Sequence, residues 1–188
     1  MFFDYLKRIG FESLILQNWT KISVKSTYLL WKRQTPLNGT NVICLKGQNV
    51  TADKTARVIG NEGCHLVLNK TWSDGDRTRS LLSMGPDSEL ILNKNSCGGY
   101  VFDVYSGSKI YINKDATLSF SGKGYMNHNI SLSCFDKISI GEDVVISEGV
   151  TIRDSDNHSI LGSKKPSTAP IEIGNHVWIG LNATILKV

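Results

Sequence analysis

The chain has 188 residues and 20.8 kDa, 40% of them hydrophobic and 20% charged, which suits one compact domain with a real core. Lys and Arg number 21 against 17 Asp and Glu, and a net charge of +4 is too small and too scattered for nucleic acid to be the main partner. No stretch reaches the ~20 apolar residues of a membrane-spanning helix. The opening MFFDYLKRIGFESLILQNW carries charges where a secretory core would be apolar. Together these predict a cytoplasmic protein.

In residues 2–19 the apolar positions Phe2, Leu6, Ile9 and Leu16 alternate with Lys7, Arg8, Glu12 and Gln17 at helical spacing. This predicts an amphipathic helix. It caps its own domain or oligomer in the favoured reading, and touches a membrane surface peripherally in the other. Residues 1–38 form this helix and a lead-in, and residues 39–188 read as β: short β-branched runs separated by Gly, Asn, Asp and Ser.

The β region carries a period of six. Cys134, Ile140, Ile146 and Ile152 recur at that spacing, as do Ile173, Ile179 and Ile185. A second row lies two residues earlier, at Ile138, Val144 and Val150, then Ile171, Val177 and Ala183. Upstream the rhythm is weaker, at Cys44, Val50 and Ala56, at Leu92, Gly98, Val104, Ile110 and Ala116, and at Ile112, Leu118, Gly124 and Ile130. An even period keeps the same side chains facing inward, and three such units can close a triangular coil. Stacked coils make a solenoid whose ends need caps.

Two polar stretches interrupt the rhythm, at 71–80 (TWSDGDRTRS) and 153–170 (RDSDNHSILGSKKPSTAP), and both predict loops leaving the coil surface. Cys44, Cys64, Cys97 and Cys134 lack metal spacing and read as reduced, mostly buried side chains. Asn18, Asn38, Asn49, Asn69, Asn129, Asn157 and Asn182 each open an N-x-[ST] triplet; with no export signal they reflect abundant Asn, a residue that tolerates left-handed corners. Gly122 and Gly124 follow no strand-to-helix pattern, so a nucleotide loop is not predicted.

The segment ISIGEDVVISEGVTIRDSDNH, followed by APIEIGNHVWIGLNATIL, resembles the hexapeptide-repeat acyltransferases, especially the galactoside, maltose and polysaccharide O-acetyltransferases. The likeness rests on two Ile-Gly units (Ile140-Gly141, Ile173-Gly174), the loop motif Asp154-x-Asp156-x-His158, and Val177 to Gly180, over roughly residues 108–188. It implies a left-handed parallel β-helix and a homotrimer with sites in clefts between subunits. The co-substrate would be acetyl-CoA, the acceptor a sugar hydroxyl of an envelope, capsular or lipopolysaccharide-type saccharide, with no metal. His158 matches the family's general base, and an imidazole with an ordinary pKa near 6.5 can take that proton at neutral pH.

Tyr125 and Asn127 in GKGYMNHN match acceptor-pocket residues, and neutral hydrogen-bonding groups suit that work. Asn127 and Asn129 could instead form a ladder at a coil corner. Asp156 could support His158 or, like Asp154, close a turn. Trp178 matches the aromatic beside the acyl-transfer site, with Leu181 next to it on the cofactor side, or else packs between subunits. His176 reads as exposed rather than catalytic.

Family chains continue with further coils that hold CoA, whereas this one stops at Ile185-Leu186-Lys187-Val188, so a truncated product or fragment is expected. The alternative to an enzyme is then a non-catalytic solenoid that binds or oligomerises. The related zinc carbonic-anhydrase solenoid needs three clustered histidines, which His65, His128, His158 and His176 do not suggest.

Overall fold

The computed structural model describes residues 19–34, 41–73, 75–93, 99–158 and 166–187. The helix expected at 2–19 lies outside the described residues but for Trp19, and Cys97 and Gly98 lie outside them too. Among the described residues seventeen short strands wind into a parallel β-helix with three faces, consistent with the left-handed form. The first face stacks β1(Asn41–Cys44), β4(Cys64–Lys70), β7(Tyr100–Tyr105), β10(Gly124–Met126), β13(Val144–Ile146) and β16(Trp178–Ile179). The second stacks β2(Gln48–Ala52), β5(Ser80–Met84), β8(Lys109–Ile112), β11(Ser131–Cys134), β14(Thr151–Arg153) and β17(Thr184–Leu186). The third stacks β3(Arg57–Gly60), β6(Glu89–Leu92), β9(Thr117–Phe120), β12(Lys137–Ile140) and β15(Ile171–Ile173).

Both six-residue rows point inward. Cys134, Ile140, Ile146 and Ile152 are fully buried, as are Ile138, Val144 and Val150. The regular coil is 20 residues long, however, because Leu132 pairs with Ile152 and Gly124 with Val144. The four-residue corner from Asn127 to Ile130 supplies the two residues beyond three units of six. A slip of two leaves every side chain on its own side of the sheet, so the inward rows survive it.

Corners follow one device after the first face. Gly107, Asn129, Gly149 and Asn182 all have positive φ there, at +77°, +60°, +72° and +55°. A Cβ on Gly149 would lie 2.1 Å from Oδ1 of Asn182, and one on Gly107 equally close to Oδ1 of Asn129. Each Asn side chain therefore lies over the glycine of the coil before it. This gives Asn129 and Asn182 of the N-x-[ST] set a structural reason, and Asn69 stands in the same relation to Gly47.

The first coil is closed by the lead-in rather than left as an open edge. A 3-10 turn at Trp19–Lys21 precedes a helix, α1(Val24–Trp31), that the sequence did not announce. Leu30 is fully buried in the solenoid core, and Ser26 Oγ donates to the Gln48 carbonyl at 2.8 Å. The edge strand β1 is served as well: Cys44 N–H donates to Thr27 Oγ1 at 3.0 Å, and Ser23 N–H donates to the Cys44 carbonyl at 2.7 Å. These bonds occupy backbone groups that would otherwise template pairing with another chain.

Cys44, Cys64 and Cys134 are buried and unbridged, and burial pushes the Cys44 and Cys134 thiols well above their ordinary range, so both stay protonated at neutral pH. Among the described residues no helix is long and apolar enough to cross a membrane.

Replacing Gly149 by Ala should lower stability by roughly 1–2 kcal/mol, the scale of the left-handed penalty for an L side chain. Urea unfolding is the check, and Asn182→Gly in the same chain should recover part of the loss by vacating the space over residue 149.

Candidate functional site

The outward positions of the first face form two adjacent columns. Asp103, Tyr125, Val145 and Trp178 are successive ladder partners in one. In the other, Tyr105 pairs with Lys70, and Asn127 sits beside Tyr105 because Met126 lies opposite Val104. Two of the predicted residues, Tyr125 and Asn127, are thus neighbours on one surface, with Trp178 two rungs further along the first column.

The loop after β4 folds onto this surface. The Trp72 indole stacks on the Tyr105 ring with centroids 4.5 Å apart and planes 15° from parallel. Its Nε1–H donates to Oδ1 of Asn127 at 3.0 Å, and the His128 N–H donates to the same oxygen at 2.8 Å. The Asn127 carbonyl is therefore taken by the protein, and its amide N–H groups are what remain for a ligand. Tyr125 meets Tyr105 edge-on at 6.1 Å. Lys70 and Asp103 form an ion pair, with the Lys70 ammonium 5.7 Å from the Tyr105 ring centre. Burial raises the Tyr105 phenol, so it is neutral here.

A second chain of bonds lies beneath the same loop. Asp76 accepts from the buried Ser106 hydroxyl through Oδ2 and from the Thr78 N–H through Oδ1 at 2.8 Å. These bonds, that from Ser106 foremost, hold the Asp76 carboxyl below its ordinary range. Ser106 has one proton, and it goes to Asp76, so at the 2.7 Å contact with His128 the serine oxygen accepts from Nδ1–H. The network assigns the neutral imidazole its Nδ1–H tautomer and leaves Nε2 as the basic nitrogen.

His158 and Asp156 stand elsewhere. They leave the corner between the second and third faces, on the stem of the loop that follows β14. Asp156 N–H donates to the Ser167 carbonyl at 2.8 Å, Ala169 N–H to the Asp154 carbonyl at 3.1 Å, and Ser155 and Thr168 form an antiparallel bridge. Asp156 Oδ2 is ion-paired at 2.8 Å with Lys187, whose side chain is only 8% exposed. Asp154 is fully buried, and its two oxygens accept the Phe135 and Asp136 N–H groups at 2.7 and 2.8 Å, closing the turn one coil back rather than its own. His158 is exposed.

Trp178 is 78% exposed, with Nε1–H donating to Ser147 Oγ at 2.9 Å, and Leu181 is 66% exposed on the corner that follows. His176 is exposed as well, its Nδ1 3.2 Å from Asp143. One chain thus gathers Tyr125, Asn127 and Trp178 on the first face and sets His158 and Asp156 at a corner a whole face away. Among the described residues no three His, Cys, Asp or Glu converge on a metal position. Sequence reasoning missed Trp72, Asp76, Ser106, His128 and Lys187. An aromatic in an otherwise polar loop was the one signal Trp72 offered.

No family model and no solved structure matches the chain. A polysialic acid O-acetyltransferase of Neisseria meningitidis is 38% identical to it over 81 residues, which cover 40% of this chain and 38% of that protein. The likeness and the three parallel sheets fit a hexapeptide-repeat acetyltransferase.

Asp154→Ala should cost roughly 2 kcal/mol in urea unfolding, because two backbone donors lose their acceptor. Asp76→Asn should be less stable than the parent at pH 7. Since the folded carboxyl titrates below the usual ~3.9, its contribution is complete above that pH and fades as pH falls through the depressed value. Melting curves of the two proteins should therefore converge in strong acid.

Proposed function

We propose that this chain is an O-acetyltransferase that moves an acetyl group from acetyl-CoA to a carbohydrate hydroxyl, with His158 as general base. The likeness to a polysialic acid O-acetyltransferase carries the reading, and an acidic polysaccharide becomes the acceptor class to test first. The neutral His158 ring takes the proton of the sugar hydroxyl as its oxygen attacks the thioester carbonyl. The carbon–sulfur bond then breaks, and the imidazolium returns the proton to the departing thiolate, giving an acetyl ester and free CoA. Transfer is direct and needs no covalent enzyme intermediate.

Tyr125 and the Asn127 amide hold acceptor hydroxyls, Trp178 and Leu181 shield the thioester from water, and Asp156, fixed by Lys187, positions the stem from which His158 projects. The separation of His158 from the Tyr125 and Trp178 face supports a site completed between copies, with the loop of one subunit reaching the first face of its neighbour in a homotrimer. A cytoplasmic location supplies the acetyl-CoA.

With acetyl-CoA and a sialic acid oligomer, release of CoA thiol should fall about 10²–10⁴-fold in His158→Ala, the range for loss of an acid–base group. The melting temperature should stay unchanged, and the native mass should be three times the 20.8 kDa of one chain. Undiminished turnover in the variant removes His158 as the base. A parent protein with no turnover and no thermal shift on adding CoA is instead a binding or oligomerisation module.

A further inference from the structure

The loop that presents Trp72 also walls a cavity of about 550 Å³. Thr71 borders this cavity, so cavity and indole are adjacent along the chain. Four cations line it: Lys21 from the lead-in, Lys46 from the turn after β1, and Arg77 and Arg79 from the loop. The carboxylate that joins them, Asp76, already has one oxygen on Thr78 and the other on Ser106. Neither Arg77 nor Arg79 has an ion-pair partner among the described residues. Lys46, Arg77 and Arg79 bring like charges to the lining of one concave volume, and an anion placed among them offsets their repulsion, most strongly through planar guanidinium forks that fit a carboxylate. The volume lies in the ~300–1,000 Å³ range of small-ligand sites.

Trp72 supplies the other half of a recognition surface. Its indole is 62% exposed, yet both its plane and its rotation are fixed, by Tyr105 beneath and by Asn127 at Nε1. A flat, held aromatic face suits the C–H face of a sugar ring. Asn127, whose carbonyl holds the indole N–H, still offers its amide N–H groups to ring hydroxyls beside it.

We propose that Lys46, Arg77, Arg79 and Trp72 build a subsite for an acidic saccharide, with a carboxylate-bearing residue in the cavity and a neighbouring sugar ring stacked on Trp72. It rests on the acetyltransferase reading for its role as acceptor subsite, but binding can be measured without transfer. The cavity belongs to the first two coils and Trp178 to the sixth, about four rungs or ~19 Å along the axis, so the carboxylate end of the subsite engages the polymer away from the reacting hydroxyl while its Trp72 end adjoins Asn127.

Calorimetric titration of the full chain with a sialic acid hexamer, without acetyl-CoA, is the test. The hexamer should bind at least about tenfold more tightly than maltohexaose and weaken as salt screens the cations. Arg77→Ala with Arg79→Ala should weaken it at least about tenfold, and Trp72→Ala likewise, both with unchanged melting temperature; Trp72→Phe, which keeps a ring, should lose less. Parent-like binding in both variants overturns the proposal, as does displacement of the hexamer by CoA alone, which would make the cavity a cofactor site. Acetyl transfer that proceeds with an unchanged KM for the hexamer in the Arg variant overturns the subsite and leaves the enzyme reading intact. Hexamer binding that the variants abolish, in a parent protein with no transfer, supports the subsite and removes the enzyme reading.

Discussion

The structure depends on how the chain turns its corners. A parallel ladder needs every coil to return in register over the one before it, and the backbone makes the turn after the first face through residues in the left-handed region. L side chains other than Asn and Asp resist that region, and the asparagine side chain needs open space over the residue of the coil before it. Alternating Gly and Asn from coil to coil answers both demands, since the glycine leaves the space that the next asparagine fills. With corners fixed in this way, inward rows of Ile, Val and Leu stack rung on rung, and outward rows become straight columns on which side chains far apart in sequence meet.

Those columns explain which parts of the molecule could be read from the sequence. The solenoid was legible because it rests on a local pattern, an apolar period. The coil length was not, because a slip of two residues in the Asn127 to Ile130 corner leaves the inward pattern intact and so leaves no trace in it. Helix α1 was equally silent, since VKSTYLLW mixes β-branched and aromatic residues and its Ser23 cap makes no side-chain bond to the helix backbone. It is held by Leu30 in the core and by bonds to β1 and β2.

The candidate site divides in the same way. The loop motif of Asp154, Asp156 and His158 is contiguous and could be quoted from the sequence. Its parts do three different things: Asp154 closes a turn of the preceding coil, Asp156 pairs with Lys187, and His158 stands exposed. The Trp72, Asn127, His128, Ser106 and Asp76 assembly joins residues 22 to 55 positions apart, and only the stacking of coils brings them together. Such contacts carry no short-range signature, so a polar loop with one tryptophan looks like any other until the register is known.

The loop after β14 is inserted where two adjacent strands, β14 and β15, meet at a corner, and its stem is pinched shut by the Ser155 and Thr168 bridge. Ladder partners across it are 33 residues apart, Ile138 with Ile171, against 20 in the coil before, Leu118 with Ile138. Loop-closure entropy grows only with the logarithm of length, so that detour costs about 0.4 kcal/mol more than the plain coil. Winding is thus almost indifferent to what the corner carries, and the scaffold can accept a long, chemically specialised excursion at nearly the same thermodynamic cost as a tight turn.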